Sequence, residues 1–358
     1  MSTQPKPANA RSLVITPAHL QQAFLAVCQQ RRHFPADADI WHLRRHWPER
    51  KSGLLAEIQS GDYSFSPQHS VCKKNGQIVH LWGAEDAVVI KLLSAWLQDR
   101  LSVSPTCVHV KGHGGLKRAV THIQAKLGDY RFVCKTDVKG YYQAIDQYTL
   151  LNQIADQVAE PLLRRYCYAI VRRTVEEGGN YRDIEQGISR GCAISPLLAA
   201  LYLKDLDDKF SRQPGLYYVR YMDDILILSK TRWQNRRAVK ILNQTLNSLK
   251  LKQHPAKTFI GKIEHGFDFL GYRFSRQPLQ LAAVTVEKHV ETLHRLYEQQ
   301  IRKKANSVEL ASVLGQYRQR WRRWCTAGLS DIVKQEPFCP EYATIVDLTD
   351  RSRAALRR

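Results

Sequence analysis

Two β-favouring apolar runs flank a pair of acidic residues between positions 216 and 228 of the chain. The first run covers 216–221, and the second, 225–228, is apolar at every position, as in a strand that is covered on both faces. The pattern predicts a β-hairpin with Asp223 and Asp224 at its turn. Aspartates are common in turns because they hydrogen-bond locally and tolerate turn dihedrals, so the pair by itself also fits a solvated loop.

A second acidic stretch lies upstream, where an apolar run at 132–134 leads to Asp137. If the two strands are neighbours in one sheet, Asp137 faces Asp223 and Asp224 across a short gap. Carboxylates about 4 Å apart repel each other by roughly 4 kcal/mol at an effective dielectric constant near 20, so such a cluster requires protons or cations. A site with a small number of hard oxygen ligands and with room for phosphate suits Mg²⁺. Two such ions can activate a hydroxyl and stabilise a leaving pyrophosphate. The pattern therefore indicates nucleotidyl transfer.

Helix and turn patterns divide the rest of the chain. Thr16 before Pro17 predicts a helix start, and Ser195 before Pro196 predicts another, with the serine as N-cap. Asn-Gly at 75–76 between two β-prone runs predicts a hairpin. We also expect helices at about 16–29, 85–101, 148–175, 195–210, 231–249, 284–303 and 308–329, a turn at 178–180, and a second hairpin at 266–274.

Composition adds the expectation of a polyanionic partner. The chain has 358 residues, 44% of them hydrophobic, which is enough for a core shared by two or three subdomains. It carries 54 Lys and Arg against 33 Asp and Glu, a formal net charge of +21. A surface of that sign attracts polyanions, of which nucleic acid is the commonest, although a merely basic soluble protein has the same balance.

Cysteine usage and hydropathy exclude several classes of protein. The eight cysteines are scattered singly without a CxxC pair, which argues against a zinc ribbon or a disulfide framework. Cys107, His109 and His113 resemble a ligand trio, yet no second pair completes it. The chain has no apolar run of about 18 residues and no short apolar leader with a cleavage site. We therefore expect a cytoplasmic protein without a membrane partner.

Three stretches occur together in an order that resembles a known enzyme family. Tyr-Met-Asp-Asp at 221–224 follows the Asp137 segment and Ser-Pro-Leu-Leu-Ala at 195–199, and the set resembles a reverse transcriptase of the bacterial type related to group II intron proteins. A single four-residue motif can occur by chance, whereas three motifs in the order of the family are specific evidence for it. The resemblance covers roughly 54–329 and implies an α+β fold: a right-hand polymerase with a ferredoxin-like palm, helical fingers and a helical thumb.

The resemblance also implies a division of the chain. An N-terminal extension is expected at 1–50, fingers and palm at 51–275, a thumb at 276–330 and a C-terminal tail at 331–358. The tail has no recognisable nuclease or zinc module, so a stand-alone enzyme without an endonuclease module is expected.

Catalytic roles follow from the same resemblance. Asp137, Asp223 and Asp224 would bind metal together with the backbone carbonyl of Val138. Lys257 resembles the lysine that can donate a proton to pyrophosphate, although an ordinary surface lysine fits equally well. The implied cofactor is Mg²⁺, as two ions, with Mn²⁺ as the alternative. The implied reaction extends a DNA or RNA primer on an RNA template with dNTPs.

Further residues are expected to contact the incoming nucleotide. Lys73 and Lys74 match the basic position before the fingers turn, where a solvated hairpin tip is the plain alternative. The strand after that turn has Val79 and His80 where the family usually has Arg, which weakens the expectation that this strand grips the triphosphate.

Two residues are expected to influence which substrates are used. The ring of Tyr142 would leave no room for a 2′-hydroxyl and so select deoxynucleotides, while one of Tyr141 and Tyr142 is expected in the core. Arg190 stands where the family usually has Gln, which adds charge near the template and the nucleotide.

Basic residues in two other stretches are expected to contact nucleic acid. Lys111, Lys117 and Arg118 lie in a glycine-rich loop that leads into a helix, where backbone amides and cations can approach phosphate. Arg318 and Arg322 lie among aromatic residues in the last predicted helix, a composition suited to gripping a backbone and stacking on bases. The plain alternatives are an ordinary turn and a helix with two tryptophans in the core and arginines on its flanks.

Two other functions remain open at this level. The first is a non-catalytic RNA-binding protein, such as an intron-splicing maturase, whose basic surface carries the effect. The intact acidic triplet argues against it, since carboxylates that face a polyanion are costly unless they bind metal. The second is an RNA-dependent RNA polymerase or a template-independent polymerase, for example in antiviral defence against phage.

Overall fold

The structure is a computed structural model and describes residues 15–72, 76 and 78–326. In these residues the helices are α1 Pro17–Gln30, α2 Asp39–Arg45, α3 Trp47–Ser60, α4 Ala84–Arg100, α5 Gly115–Lys126, α6 Tyr141–Ala144, α7 Gln147–Gln157, α8 Pro161–Val171, α9 Ser195–Tyr202, α10 Lys204–Ser211, α11 Arg232–Ser248, α12 Ala283–Arg302 and α13 Ser307–Thr326. The strands are β1 Gln68–Cys72, β2 Ile78–Leu81, β3 Phe132–Asp137, β4 Thr174–Glu177, β5 Asn180–Asp183, β6 Leu216–Tyr221, β7 Asp224–Ser229, β8 Phe259–Lys262, β9 Phe267–Phe269, β10 Tyr272–Phe274 and β11 Gln280–Leu281. None of the described helices has the length and apolar character needed to cross a bilayer.

The chain forms two compact units, each built from three separate segments. Within the described residues, the first unit consists of 15–110, 138–212 and 242–253. The second consists of 111–137, 213–241 and 254–326. All four residues predicted to be catalytic belong to the second unit.

The first unit combines helices with a four-stranded sheet of order β2-β1-β4-β5. Strands β1 and β4 are parallel, and the other two pairs are antiparallel hairpins. The ring of Phe24 in α1 stacks on Trp47 in α3 with centroids 3.9 Å apart. At the start of α4, the Asp39 carboxylate accepts a hydrogen bond from the Ala84 N–H (2.5 Å), which satisfies a helix donor that has no partner inside the helix.

The second unit is organised on an antiparallel sheet of order β6-β7-β3-β8. Strand β7 lies between β6 and β3, and its residues 225–228 are each fully buried. Asn235 in α11 donates from its side chain to the Val133 carbonyl (3.4 Å), which ties this helix to the central strands. The prediction of a strand covered on both faces is therefore confirmed.

A smaller sheet in the second unit, of order β11-β10-β9, contains the predicted hairpin at 266–274. Its two-residue turn, Leu270 and Gly271, has φ of 50° and 86°, as type I′ hairpin turns require. A Cβ on Gly271 would lie 2.8 Å from the Trp324 ring of α13, so only glycine allows this approach. Trp324 also stacks on Tyr272 with centroids 5.5 Å apart, and α13 thereby supports the hairpin.

Most of the predicted helices and hairpins are confirmed to within a few residues. Thr16 caps α1 as expected, since its hydroxyl accepts from the His19 N–H (3.3 Å). The predicted N-cap at Ser195 is wrong: the helix starts at Ser195 itself, Ile194 is the cap, and the serine is buried.

Two further boundaries differ from the sequence expectation. The predicted helix at 195–210 is two helices, α9 and α10, that meet at Leu203. The helical region predicted at 148–175 ends at Val171, and the turn at 178–180 joins two short strands, β4 and β5. The Thr-Val-Glu-Glu sequence of β4 has little strand character. Four residue pairs with β5 and two with β1, roughly a hundred residues earlier, form this strand.

Candidate active site

Strand pairing brings the predicted catalytic carboxylates together at one edge of the larger sheet of the second unit. Strand β3 ends at Asp137 and β7 begins at Asp224, and these two residues are directly opposite each other in the antiparallel register. Asp223 immediately precedes β7 in the turn from β6. The predicted proximity of Asp137 to the Asp223-Asp224 pair is therefore confirmed.

The turn that presents Asp223 is tight and has internal support. Tyr221 pairs with Asp224, so Met222 and Asp223 form a two-residue loop. Met222 has φ of 55°, a left-handed conformation that is uncommon for residues other than glycine. Its carbonyl accepts a hydrogen bond from the Arg220 guanidinium (2.8 Å). Arg220 is fully buried, and the sequence did not indicate this support for the turn.

Burial and mutual repulsion act on the carboxylates in the same direction. Burial and, after it, the contact with the Asp137 carboxyl raise the pKa of Asp223 to about 6. Burial and the charge of Asp137 likewise raise the pKa of Asp224 to about 6. Asp137 itself is only 4% exposed. The cluster therefore concentrates negative charge that is partly shielded from water.

Lys257 places a positive charge next to the carboxylates. Its ammonium donates to Oδ2 of Asp137, and this contact raises the pKa of Lys257. Lys257 ends a short 3₁₀ turn before β8, and the neighbouring His254 N–H donates to the Asp137 carbonyl (2.7 Å), which holds the turn at the strand end. Lys257 is exposed at the surface but contacts Asp137, and its chemical role stays a prediction.

The donor chemistry of the cluster fits a divalent cation. Its side chains offer only hard carboxylate oxygens, which Mg²⁺ and Mn²⁺ prefer, and two of them are held in an environment that penalises their charge. In the described part of the chain, no three His, Cys, Asp or Glu side chains are grouped as a metal site. The Lys257 ammonium instead contacts Asp137, in the role of a counter-ion.

The predicted nucleotide-binding residues lie in the first unit or outside the described residues. Lys73 and Lys74 are outside the described residues. Val138 is buried, and its backbone forms an antiparallel bridge with Gln253. Arg190 is exposed.

The two adjacent tyrosines differ in environment. Tyr141 is buried, and its hydroxyl donates to the Ala199 carbonyl (2.5 Å), which confirms that one of the pair is in the core. Tyr142 is half-buried, with its ring edge-on to Tyr141 at 6.0 Å. The Tyr142 carbonyl accepts from the Ile188 N–H (2.8 Å). A Cβ on Gly187 would lie 2.7 Å from this carbonyl, so glycine is required for the approach.

The residues predicted to contact nucleic acid have different surroundings within the second unit. Lys111 and Arg118 are exposed. Lys117 is half-buried: its ammonium donates to the Tyr272 hydroxyl (2.5 Å) and lies 4.5 Å from the centre of the Trp324 ring. Burial lowers the pKa of Lys117, and its aromatic partners show an intramolecular role that the sequence did not indicate.

The aromatic and basic residues of α13 divide between interior and surface. Trp321 stacks on His289 of α12 with centroids 3.8 Å apart, and Trp324 stacks on Tyr272. Arg322 is exposed and Arg318 is half-buried. Both tryptophans are half-buried and pack against other rings, and nucleic-acid contact by the two arginines stays a prediction.

Two members of the predicted ligand trio near residue 110, Cys107 and His109, have partners within the first unit. Cys107 Sγ lies 3.3 Å from Nδ1 of His109, and Nε2 of His109 lies 3.1 Å from the Pro196 carbonyl. Both ring nitrogens of His109 are thus used inside the fold.

Comparison with known proteins agrees with the geometry of the carboxylates. The family model for reverse transcriptase (RNA-dependent DNA polymerase) matches residues 86–274, more than half of the chain. The chain belongs to the reverse transcriptase family. As a reverse transcriptase it is a nucleotidyltransferase with the palm, fingers and thumb of polymerases, which confirms the predicted fold class and enzyme class. Enzymes of this family generally use divalent metal ions.

Individual relatives are more distant. Protein YkfC of Escherichia coli (strain K12) is 22% identical over 272 residues, which cover 63% of this reverse transcriptase and 71% of YkfC. The group II intron-encoded protein LtrA of Lactococcus lactis subsp. cremoris is 29% identical over 102 residues, which cover 28% of this chain and 17% of LtrA. The LtrA match supports a group II intron-like enzyme, whereas the absence of an endonuclease module stays a prediction.

A solved structure of apo telomerase from Candida tropicalis, truncated from the C-terminal domain, is also similar. It matches with a TM-score of 0.46 and 12% sequence identity, and the match covers 66% of this chain and 60% of the telomerase chain.

The burial of the Asp223 carboxylate and its contact with Asp137 predict that Asp223→Asn stabilises the protein at neutral pH. Because the native pKa of Asp223 is raised, the native state retains a proton between about pH 4 and 6 that the unfolded chain has released, and the free energy of unfolding falls as pH rises through this window. We expect the melting temperature of the variant to exceed that of the wild type by roughly 2–4 °C at pH 7 and the difference to vanish near pH 4.

Thermal unfolding at several pH values measures this effect. Asp129→Asn, which removes an exposed carboxylate, is the matched control and should show no such difference. A melting temperature of Asp223→Asn at or below that of the wild type at pH 7 would show that the native state does not penalise the charge of Asp223.

Proposed function

We propose that this chain extends a DNA or RNA primer on an RNA template with dNTPs, and that Asp137 and Asp223 are its principal catalytic carboxylates. The observation that supports this most directly is the meeting of Asp137, Asp223 and Asp224 at one sheet edge, with Lys257 on Asp137. Membership of the reverse transcriptase family gives this arrangement its reaction class.

Divalent cations are the proposed cofactor, as two Mg²⁺ ions with Mn²⁺ as the alternative. Asp137, Asp223 and the carbonyl of Val138 would hold them, and Asp224 would support them less directly. When bound, such ions activate the primer hydroxyl and neutralise charge on the phosphates of the nucleotide.

The protein itself contributes position and charge. The register of β3 with β7 fixes the spacing of Asp137 and Asp224, and the Arg220 hydrogen bond fixes the turn that carries Asp223. Such fixed groups stabilise a transition state without a cost of reorganisation. Lys257, protonated at neutral pH, is proposed to donate a proton from Nζ to the departing pyrophosphate.

Substrate choice is proposed to depend on Tyr142 and on exposed basic residues. The Tyr142 ring packs edge-on to Tyr141, and the Tyr142 carbonyl accepts from the Ile188 N–H, which supports a fixed steric limit at the sugar. Arg190 is proposed as a nucleotide or template contact. Lys111, Arg118, Arg318 and Arg322 are proposed contacts to the nucleic-acid backbone, with Lys117 contributing through the hairpin that it supports.

Asp223→Ala tests the catalytic assignment. We expect it to reduce primer extension on an RNA template by at least about a hundredfold, because it removes a charge that acts on the transition state. Affinity for the primer–template should change little, because one carboxylate contributes little to the field of a chain with a net charge of +21.

Primer extension and fluorescence anisotropy measure these two quantities on the same preparations. Asp129→Ala, an exposed acid elsewhere in the second unit, should retain wild-type extension. Extension by Asp223→Ala at the wild-type rate would refute the assignment, and wild-type protein that binds RNA without extending any primer would favour a non-catalytic RNA-binding protein.

Lys257→Met tests the proton donor. Loss of general acid catalysis should lower the maximal rate of nucleotide incorporation by about a hundredfold with little change in KM, and Lys257→Arg should restore part of it. Lys262→Met removes an exposed lysine from the adjacent strand and should leave the rate unchanged. Equal rates for both methionine variants would exclude proton donation by Lys257.

Tyr142→Ala tests the choice of sugar. Removing the ring should raise ribonucleotide incorporation relative to deoxynucleotide incorporation by about tenfold or more, as single-turnover assays with each nucleotide would show. Tyr168→Ala, on the exposed surface of α8, is the control. An unchanged preference would exclude Tyr142 as the selective residue, and efficient extension without template by the wild type would favour the template-independent alternative.

A further inference from the structure

A cationic cavity of about 250 Å³ lies inside the first unit. Its walls come from the segment 63–67, from Trp82, from α8 and from the start of β4. Three arginines line it: Arg165, Arg172 and Arg173. The first two follow the spacing of one helical face through Ala169, which also lines the cavity. The cavity thus collects three positive charges from neighbouring turns of the chain.

These charges have no carboxylate partner in the described part of the protein. No acidic residue lines the cavity, and none of its three arginines forms an ion pair there. Other arginines of the same unit are paired: Arg50 lies between Glu57 and Glu85, and Arg100 contacts Glu160. What distinguishes the cavity is that three guanidinium ions line it together with no carboxylate among the lining residues.

Arg173 is the most buried of the three arginines, at 8% exposed, so its positive charge is the most costly to leave without a counter-ion. Its Nη1 donates to the carbonyls of Gly187 (2.9 Å) and Val171 (3.3 Å), but its Nε has no acceptor among the described residues. Burial lowers the pKa of Arg173 to about 10, so it stays charged at neutral pH. A buried charge without a counter-ion is unfavourable, and an anion would compensate it.

A second buried donor at the same cavity has no partner. The indole Nε1 of Trp82 lacks an acceptor in the described residues, although Trp82 is only 6% exposed. The carboxylate of Asp86 already has partners, since it accepts from the Tyr63 hydroxyl (2.7 Å) and the Ser66 N–H (3.4 Å). Buried donors of this kind are ordinarily satisfied, so their coincidence with three arginines points to an anionic acceptor.

We propose that this cavity binds a phosphate group. Planar guanidinium groups match the oxygens of phosphate in both charge and geometry. The volume is below the roughly 300–1,000 Å³ of usual small-molecule pockets, which favours inorganic phosphate or a small phosphate monoester. A phosphate of a nucleic-acid backbone presents the same chemistry at the open rim, where Arg165 and Arg172 are exposed.

Calorimetric titration of the full chain with inorganic phosphate, with AMP and with a short RNA tests the proposal. We expect Arg165→Gln to weaken binding of phosphate or AMP by about tenfold, the effect of one charge-assisted hydrogen bond. Arg164→Gln is the matched control, because Arg164 lies next in the same helix, is exposed and does not line the cavity. It should bind as the wild type does.

The three ligands distinguish the source of the phosphate. Weakened binding of inorganic phosphate or AMP supports a small ligand, and weakened binding of RNA alone supports a backbone phosphate. Equal affinities of Arg165→Gln and Arg164→Gln for all three ligands would overturn the proposal. Asp223→Ala should bind phosphate as the wild type does, so failure of this site and failure of the proposed polymerase chemistry are separate results.

Discussion

Three carboxylates repel one another at a sheet edge where the backbone prevents them from moving apart. Asp137 and Asp224 are opposite each other in a register fixed by six residue pairs of β3 and β7. Residues 225–228 of β7 are fully buried, so moving this strand away from β3 would expose apolar side chains to water, and the apolar core therefore holds the acids in place. The raised pKa values of Asp223 and Asp224 express this conflict, and an added cation relieves it.

Support for this edge comes from several kinds of interaction. Arg220 is fully buried and donates to the carbonyl of Met222, whose left-handed backbone would otherwise be unfavourable. The backbone of His254 and the ammonium of Lys257 both bind Asp137. The charged groups are thus placed by strands and short turns, which position a site more exactly than long loops do.

Positive charge serves at least three purposes in this chain. Some cations are neutralised locally, as Arg50 is by two glutamates. Others organise the fold: Lys117 joins a helix to the Tyr272 hairpin through aromatic rings. A third group, which includes Arg165 and Arg173, has no acidic partner in the described residues and is left to interact with an external anion. The net charge of +21 therefore does not describe a uniform surface.

The sequence by itself determined the elements whose patterns are local. The fully apolar run at 225–228, the Asp137 strand and the family order of three motifs were sufficient to predict the central hairpin, the meeting of the acids and the reverse transcriptase family. Hydrophobic period and motif spacing are properties of neighbouring residues, so they are visible without coordinates.

Only the tertiary structure decided the features that depend on distant residues. Strand β1 joins the β4–β5 hairpin into a larger sheet, Lys117 is enclosed because Tyr272 and Trp324 converge on it, and Arg173 has no carboxylate partner among the described residues. In each case the local sequence does not show this outcome. Its environment is set by packing between residues that are far apart in the chain, which no local pattern contains.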